Sequence, residues 1–243
     1  MHRAAYATGV EPLYDVARAA LLGPMRQGVQ WTIEGAHRVP VYGPAIVASN
    51  HVSYLDPLAL AYLANERHRR VRFLAKAELF DKAGLGWALR RIHQIPVQRN
   101  TADAAVSLGP AVDALRSGEC VTVFPEGTIS VDLEPMAAKT GTARLAAMSG
   151  VGVIPVGLWG LHRILFKGRS PAWRWGIAET VVVGDPVRVQ PGDDVHDATD
   201  RIMTAIANCV GRAREIYPQR PEGGDDGWWV RAPETAQLRP ATR

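Results

Sequence analysis

A histidine and an aspartate, His51 and Asp56, lie five positions apart in the stretch 49–56. An imidazole with one ring nitrogen held by a carboxylate can use the other nitrogen to take a proton from a substrate hydroxyl. The spacing alone also allows a plainer alternative. In that alternative Asp56 caps the helix that begins at Pro57, and His51 is a surface loop residue. The aspartate can perform both tasks.

Local elements must bring the pair together. Residues 45–48 are an apolar run that predicts a buried strand ending just before His51, and Asp56-Pro57 predicts a helix start. Three further apolar runs predict strands, each followed by a charged residue: 71–75 before Lys76, 92–97 before Arg99, and 120–124 before Glu126. The carboxyl ends of strands in an open α/β sheet converge on one edge. We therefore expect these charged residues to surround one cleft with His51.

The predicted fold class is α/β, a single domain with a central, mostly parallel sheet flanked by helices. Residues 1–28 form an N-terminal segment, 29–217 the α/β domain and 218–243 an extended tail that Trp228-Trp229 could attach to the domain. The N-terminal segment carries apolar residues at helical spacing from about 13 to 27. This amphipathic helix could pack on the domain or lie in a membrane surface.

Composition narrows the class of protein. Of 243 residues, 47% are hydrophobic and 21% charged, which excludes disorder for the bulk of the chain. The formal charge of +4 suits anionic headgroups, phosphorylated substrates or nucleic acid, but no nucleic-acid-binding module is recognisable. We expect Cys120 and Cys209 to be buried, reduced thiols of a cytosolic protein, and we expect no signal peptide and no transmembrane helix. The oligomeric state stays open.

Some local patterns allow more than one structure. The basic run 67–70 predicts a solvated turn, and Gly109-Pro110 predicts a kink or break in a helix over 101–117. Two clusters, in 80–91 and 159–175, mix tryptophan with cations. The first suits a membrane interface or core packing, and the second suits a loop that faces a membrane or a cofactor phosphate.

Four sequence blocks together resemble a known family. Residues 50–56, Asn-His-Val-Ser-Tyr-Leu-Asp, resemble the first signature of the glycerolipid acyltransferases of the 1-acyl-sn-glycerol-3-phosphate (lysophosphatidic acid) acyltransferase type. Residues 95–99, 124–130 and 153–157 resemble the second, third and fourth signatures, in the family's order. The resemblance spans about 33 to 189. A lone His and Asp pair is a weak signal, whereas four ordered blocks are a strong one.

The resemblance implies an activity and roles for particular residues. It implies transfer of a fatty acyl chain from acyl-CoA or acyl carrier protein to the free hydroxyl of a lysophospholipid, in phospholipid biosynthesis. His51 would be the general base and Asp56 would fix its tautomer. Amides near His51 or at Gly127 are candidate oxyanion donors. The residues expected to bind substrate are Lys76, Arg99, Glu126, Gly127 and Thr128.

Further expectations concern partners and location. No metal ligand cluster and no cofactor are expected, and the acyl thioester is a substrate. The partners are a lipid acceptor and a membrane surface, with the protein at the inner, cytoplasmic face as a peripheral protein. Rival readings are a glycerol 3-phosphate or glycolipid acceptor, a thioesterase or lipid hydrolase, and a catalytically silent membrane-binding module.

The chain departs from the family pattern at one position. The family usually has arginine where this chain has Ile129, so a cation for the acceptor phosphate is missing. Lys76 and Arg99 would then hold the phosphate alone, or with help from Lys139 or Arg144, or the acceptor differs.

Overall fold

The computed structural model describes residues 11–98, 104–223 and 227–230. Within them the helices are α1 (Pro12–Gly28), α2 (Asp56–Glu66), α3 (Leu85–Arg91), α4 (Ala104–Arg116), α5 (Gly141–Ser149) and α6 (Val195–Glu215). The strands are β1 (Val29–Glu34), β2 (Ala45–Ser49), β3 (Val71–Lys76), β4 (Ile95–Val97), β5 (Cys120–Val123), β6 (Val153–Trp159) and β7 (Ile177–Val183). These seven strands of the described residues form one sheet in the order β1-β7-β6-β2-β5-β3-β4.

The sheet is covered on both faces, which confirms the predicted α/β class. Each residue of β2 is buried. Ile46 and Ala48 face the core shared with α4, α5 and α6, and Ala45 and Val47 face the core shared with α1 and α2. A strand buried on both faces explains why 45–48 is a continuous apolar run rather than an alternating one.

Strand direction decides where the loops gather. β2 pairs in parallel with β5 and β6, and β3 pairs in parallel with β4 and β5. β7 runs antiparallel to β6, and β1 runs parallel to β7. The segments that follow β2 to β6 therefore meet the starts of β7 and β1 at one edge of the sheet, which we call the carboxyl edge.

The helix α1 packs on the domain through one side. Tyr14, Leu22 and Met25 are buried, and the Tyr14 hydroxyl accepts the Val71 amide at 2.9 Å. Ion pairs of Glu11 with Arg72 at 2.6 Å and of Asp15 with Arg70 at 3.1 Å fix its first turn. Its other side leaves Val16 and Leu21 exposed. Of the two predicted alternatives, packing on the domain is therefore confirmed for the buried side of the helix. Contact of the exposed side with a membrane surface stays a prediction.

Two local predictions are wrong in part. The run 67–70 is not simply solvated, because Arg69 is buried and donates to the carbonyls of Pro40, Gly43 and Gly118. The guanidinium therefore pairs with three carbonyls of neighbouring loops. The helix α4 continues through Pro110, so the predicted break is wrong, and a kink there stays a prediction. Pro110 lies on the exposed side, where water can hydrate the carbonyl that lacks a donor.

The end of the described chain returns to the domain. Trp229 is 2% exposed, lies edge-on to Tyr217, and carries the Arg163 guanidinium 3.8 Å from its ring centroid. Tryptophan thus attaches the tail, as expected from the sequence. Both Cys120 and Cys209 are buried free thiols. Within the described residues, no helix combines the length and the apolar content that crossing a bilayer requires.

Candidate active site

The fold brings His51 and Asp56 together. Nδ1 of His51 and Oδ2 of Asp56 are 2.9 Å apart at the carboxyl end of β2. The same oxygen accepts the amides of Val52 and Ser53, each at 2.7 Å. Asp56 is the first residue of α2, whose N-cap is Leu55 and which has no side-chain cap, so the predicted capping of this helix by Asp56 is wrong. The carboxylate instead holds the preceding turn and the imidazole at once.

The electrostatics of the pair set its proton state. Asp56 is 1% exposed, and burial raises its pKa, while the hydrogen bonds from His51, Ser53 and Val52 act in the opposite direction. An ionised Asp56 can only accept, so it fixes the proton of His51 on Nδ1. Nε2 is then the nitrogen that can take a proton.

A second loop holds the backbone of His51. Its amide donates to Oε1 of Glu126 at 3.0 Å, and its carbonyl accepts the Ser130 amide at 2.7 Å. The Phe124 ring stacks on the imidazole, with the centroids 4.1 Å apart. The segment 124–130, which follows β5, therefore fixes the histidine from two sides.

Glu126 lies behind the histidine. It is 4% exposed, its Oε2 accepts the Met136 amide at 3.2 Å, and its side chain is absent from the cavity wall described below. Burial raises the pKa of Glu126 to about 8, the neighbouring Asp56 adds to this, and the two amide hydrogen bonds oppose it. These contacts give Glu126 a positioning role, and direct substrate contact by this residue stays a prediction.

Two polar residues of the first block have structural roles that the sequence did not reveal. The Asn50 side-chain amide pairs with the backbone of Leu158, donating at 3.1 Å and accepting at 2.8 Å. The Ser53 hydroxyl donates to the Leu165 carbonyl at 2.8 Å. Both are fully buried, and together they tie the histidine turn to β6 and to the loop that follows it.

A large cavity opens beside the histidine. Its volume is about 1470 Å³, and His51 lies in its wall. This exceeds the roughly 300–1,000 Å³ of ordinary small-molecule pockets. Most of its wall is apolar, with contributions from Leu21, Leu22, Leu58, Phe73, Leu74, Leu79, Leu89, Val97, Leu108, Val123, Phe124 and Ile129.

The remaining predicted residues divide into two groups. Lys76, Gly127 and Thr128 line the same cavity as His51, so the structure brings these four together. Lys76 is exposed and forms no ion pair with Glu78 in the described part of the chain. Arg99 lies outside the described residues.

The structure also shows what surrounds Ile129 and which acceptors the predicted oxyanion donors already have. Ile129 lines the cavity and is 8% exposed, so an apolar side chain occupies the place of the missing arginine. The Gly127 amide donates to the Phe124 carbonyl at 3.0 Å, and the amides of 51–53 donate to Glu126 and Asp56. The two expected sources of oxyanion donors are therefore already engaged.

Comparison with known proteins gives a consistent assignment. The acyltransferase family model matches residues 30–159, more than half of the chain. A chloroplastic 1-acyl-sn-glycerol-3-phosphate acyltransferase of Arabidopsis thaliana is 31% identical over 72% of this chain and 48% of its own length. The alpha 1-acyl-sn-glycerol-3-phosphate acyltransferase of Mus musculus is 33% identical over 82% of this chain and 68% of its own length.

A solved structure shares the fold. The crystal structure of the 1-acyl-sn-glycerophosphate (LPA) acyltransferase PlsC from Thermotoga maritima matches with a TM-score of 0.62 and 25% identity, over 87% of this chain and 80% of that one. The chain spans about half the length of the plant and algal relatives it matches. Residues of the first three signature blocks line one cavity, and the chain belongs to the acyltransferase family, as its sequence resemblance indicated.

Proposed function

We propose that this protein transfers a fatty acyl chain from acyl-CoA or acyl carrier protein to the free hydroxyl of a lysophospholipid such as 1-acyl-glycerol 3-phosphate. The observation that carries the proposal is the His51–Asp56 pair, 2.9 Å apart, in the wall of an apolar cavity of about 1470 Å³. The names of the relatives support the same acceptor and a place in phospholipid biosynthesis.

The proposed reaction is a direct transfer. Nε2 of His51 takes the proton of the acceptor hydroxyl, and Asp56 stabilises the imidazolium that forms. The acceptor oxygen bonds to the thioester carbonyl carbon, the carbon–sulfur bond breaks, and the imidazolium proton goes to the departing thiolate. General base help of this kind is worth about 10²–10⁴ in rate. Electrostatic stabilisation of the oxyanion is a candidate task for the amide of Thr128, a residue that lines the cavity beside Gly127.

We further propose that the protein works at the cytoplasmic face of a membrane as a peripheral protein. Exposed apolar side chains support this, since several lie at the carboxyl edge or on α1 and α3 beside the cavity. They are Val16, Leu21, Tyr54, Leu85, Trp87, Trp173 and Trp175. Trp173 and Trp175 lie against Gly28, at the end of α1, and Lys167 in the same loop lines the cavity. Tryptophan beside cations suits the boundary between lipid and water.

One assay tests the proposed reaction. Purified protein is supplied with a long-chain acyl-CoA, with and without 1-acyl-glycerol 3-phosphate, and thiol release and phosphatidic acid are measured together. We expect thiol release that depends on the acceptor and equals the phosphatidic acid formed. Release of free fatty acid without acceptor would instead identify a thioesterase.

A further inference from the structure

The helix α5 begins inside the cavity wall. Its first residues, Gly141 to Ala143, line the cavity together with Lys139, Thr140 and Arg144. The Lys139 amide donates to the Pro125 carbonyl at 3.1 Å, which places the start of α5 next to the loop that holds His51. This start and the histidine therefore share one cavity and one supporting loop.

The first turn of α5 has no side-chain cap. Thr140 is the N-cap residue, but its hydroxyl accepts Nε of Arg144 at 3.2 Å and caps no backbone amide. The first amides of a helix have no partner within the helix, and they carry the positive end of its dipole. Among the described residues, no acceptor is found for the amides of residues 141–143. The turn can therefore receive an anion from the cavity.

An independent observation indicates a missing ligand at this turn. Thr142 lines the cavity and is 3% exposed, and its hydroxyl is buried without a hydrogen-bond partner among the described residues. A buried hydroxyl without a partner costs free energy. A bound oxyanion would supply the acceptor that this hydroxyl lacks.

Charge at the turn favours an anion. Lys139 and Arg144 are exposed, line the cavity, and form no ion pair in the described part of the chain. The wall also contains Asp193, and Arg201 pairs with its carboxylate at 2.6 Å. Ile129 leaves this wall without the arginine of the family pattern, and Lys139 and Arg144 place two cations at the start of α5 instead.

We propose that the N-terminal turn of α5, with Lys139, Arg144 and Thr142, binds the phosphate of the acceptor lipid and replaces the arginine that Ile129 displaces. This inference rests on the proposed function for the identity of the phosphate. The anion site itself stands on the geometry of α5. A phosphate of the acyl donor has the same chemistry, so the test separates the two sources.

The test combines binding and kinetics. Calorimetry measures the Kd of monomeric, short-chain lysophosphatidic acid without donor and without vesicles, so that membrane attachment plays no part. Steady-state assays measure KM for lysophosphatidic acid, for acyl-CoA and for monoacylglycerol, an acceptor that lacks phosphate. The variants are the double substitution Lys139→Ala with Arg144→Ala, and Thr142→Val, which replaces the hydroxyl with a methyl group.

We expect the double variant to raise Kd and KM for lysophosphatidic acid by about tenfold or more and to leave KM for acyl-CoA and monoacylglycerol unchanged. Thr142→Val should raise the same Kd by a smaller factor while its thermal midpoint stays equal or increases, because no protein hydrogen bond is lost. The matched control is Lys82→Ala with Arg116→Ala, which removes two exposed cations that lie outside the cavity wall.

Several outcomes would contradict the site. An unchanged Kd in either variant would overturn it, and a rise confined to KM for acyl-CoA would assign the phosphate to the donor. If the wild type binds lysophosphatidic acid through these residues but transfers no acyl group, the anion site stands and the proposed function fails. If the wild type transfers the acyl group and the variants bind lysophosphatidic acid as tightly as the wild type, the proposed function stands and the anion site fails.

Discussion

Glu126 Oε1 accepts the backbone amide of His51 at 3.0 Å, across 75 positions of sequence. The other oxygen of Glu126 accepts the Met136 amide, so one buried carboxyl joins the segment after β5 to the histidine turn after β2. Through this contact the third signature block positions the first.

Glu126→Ala should therefore lower kcat more than it changes KM. The variant removes two acceptors of buried amides and lets the His51 backbone move, and a displacement of about 1 Å can cost 10²-fold in rate. Initial rates over a range of acceptor concentrations check this, with the exposed Glu66→Ala as the control. A higher KM for the acceptor at unchanged kcat would show that Glu126 instead contacts substrate.

His51→Ala and Asp56→Asn should both lose transfer, by about 10²–10⁴ in kcat. The first removes the base. The second removes the negative charge that fixes the Nδ1 proton and stabilises the imidazolium, and it also weakens the hold on the Val52 and Ser53 amides. Single-turnover product formation measures the loss, and circular dichroism confirms folding. Full activity in folded His51→Ala would refute the mechanism.

Stability should depend on pH through Glu126. Burial raises the pKa of this carboxyl to about 8 in the folded protein, from an ordinary value of 4.5. Between these values the folded protein keeps a proton that the unfolded chain has released, so the free energy of unfolding falls as pH rises through this window. The slope contributed by one such group is at most about 1.4 kcal/mol per pH unit.

Urea unfolding at several pH values between about 5 and 8, where only the folded protein keeps the Glu126 proton, measures this slope. The matched variant is Glu126→Gln, which does not titrate and should show a smaller decline. Equal slopes in the two proteins would mean that Glu126 is ionised throughout, as its two amide donors favour.

Trp175→Ser should weaken binding to anionic vesicles several-fold. Trp175 is 69% exposed in the loop between β6 and β7, at the carboxyl edge, where it can enter the lipid headgroup region. Vesicle sedimentation measures the loss. The control is Tyr42→Ser, since Tyr42 is 73% exposed but precedes β2 at the opposite edge. Equal losses in both variants would argue against a membrane-facing carboxyl edge.

Trp229→Ala should destabilise the fold by about 3–5 kcal/mol. The ring is 2% exposed and packs with Arg163 and Tyr217, so truncation leaves a cavity where the tail meets the domain. Denaturant unfolding measures the change. The exposed Trp87→Ala, at 56% exposure, should stay within about 0.5 kcal/mol of the wild type. A similarly small change for Trp229→Ala would show that the tail contact does not stabilise the fold.

Sequence pattern predicted much of the secondary structure because the signal is local. The apolar run 45–48 became β2, and α6, Val195–Glu215, begins where Asp194 caps two amides. The predicted strand 92–97 shortened to Ile95–Val97, since α3 extends to Arg91 and His93 adopts a positive φ of 54°. Such boundaries depend on single backbone angles that periodicity does not report.

The sequence by itself determined the family, the α/β class and the residues of the His51–Asp56 pair, because four ordered blocks and short-range periodicity are written along the chain. Tertiary structure alone decided that β7 reverses direction beside β6, that Glu126 supports the histidine from behind, and that α5 opens its first turn into the cavity. These relationships join residues far apart in sequence. They follow from how buried strands and helices pack, which no local pattern specifies.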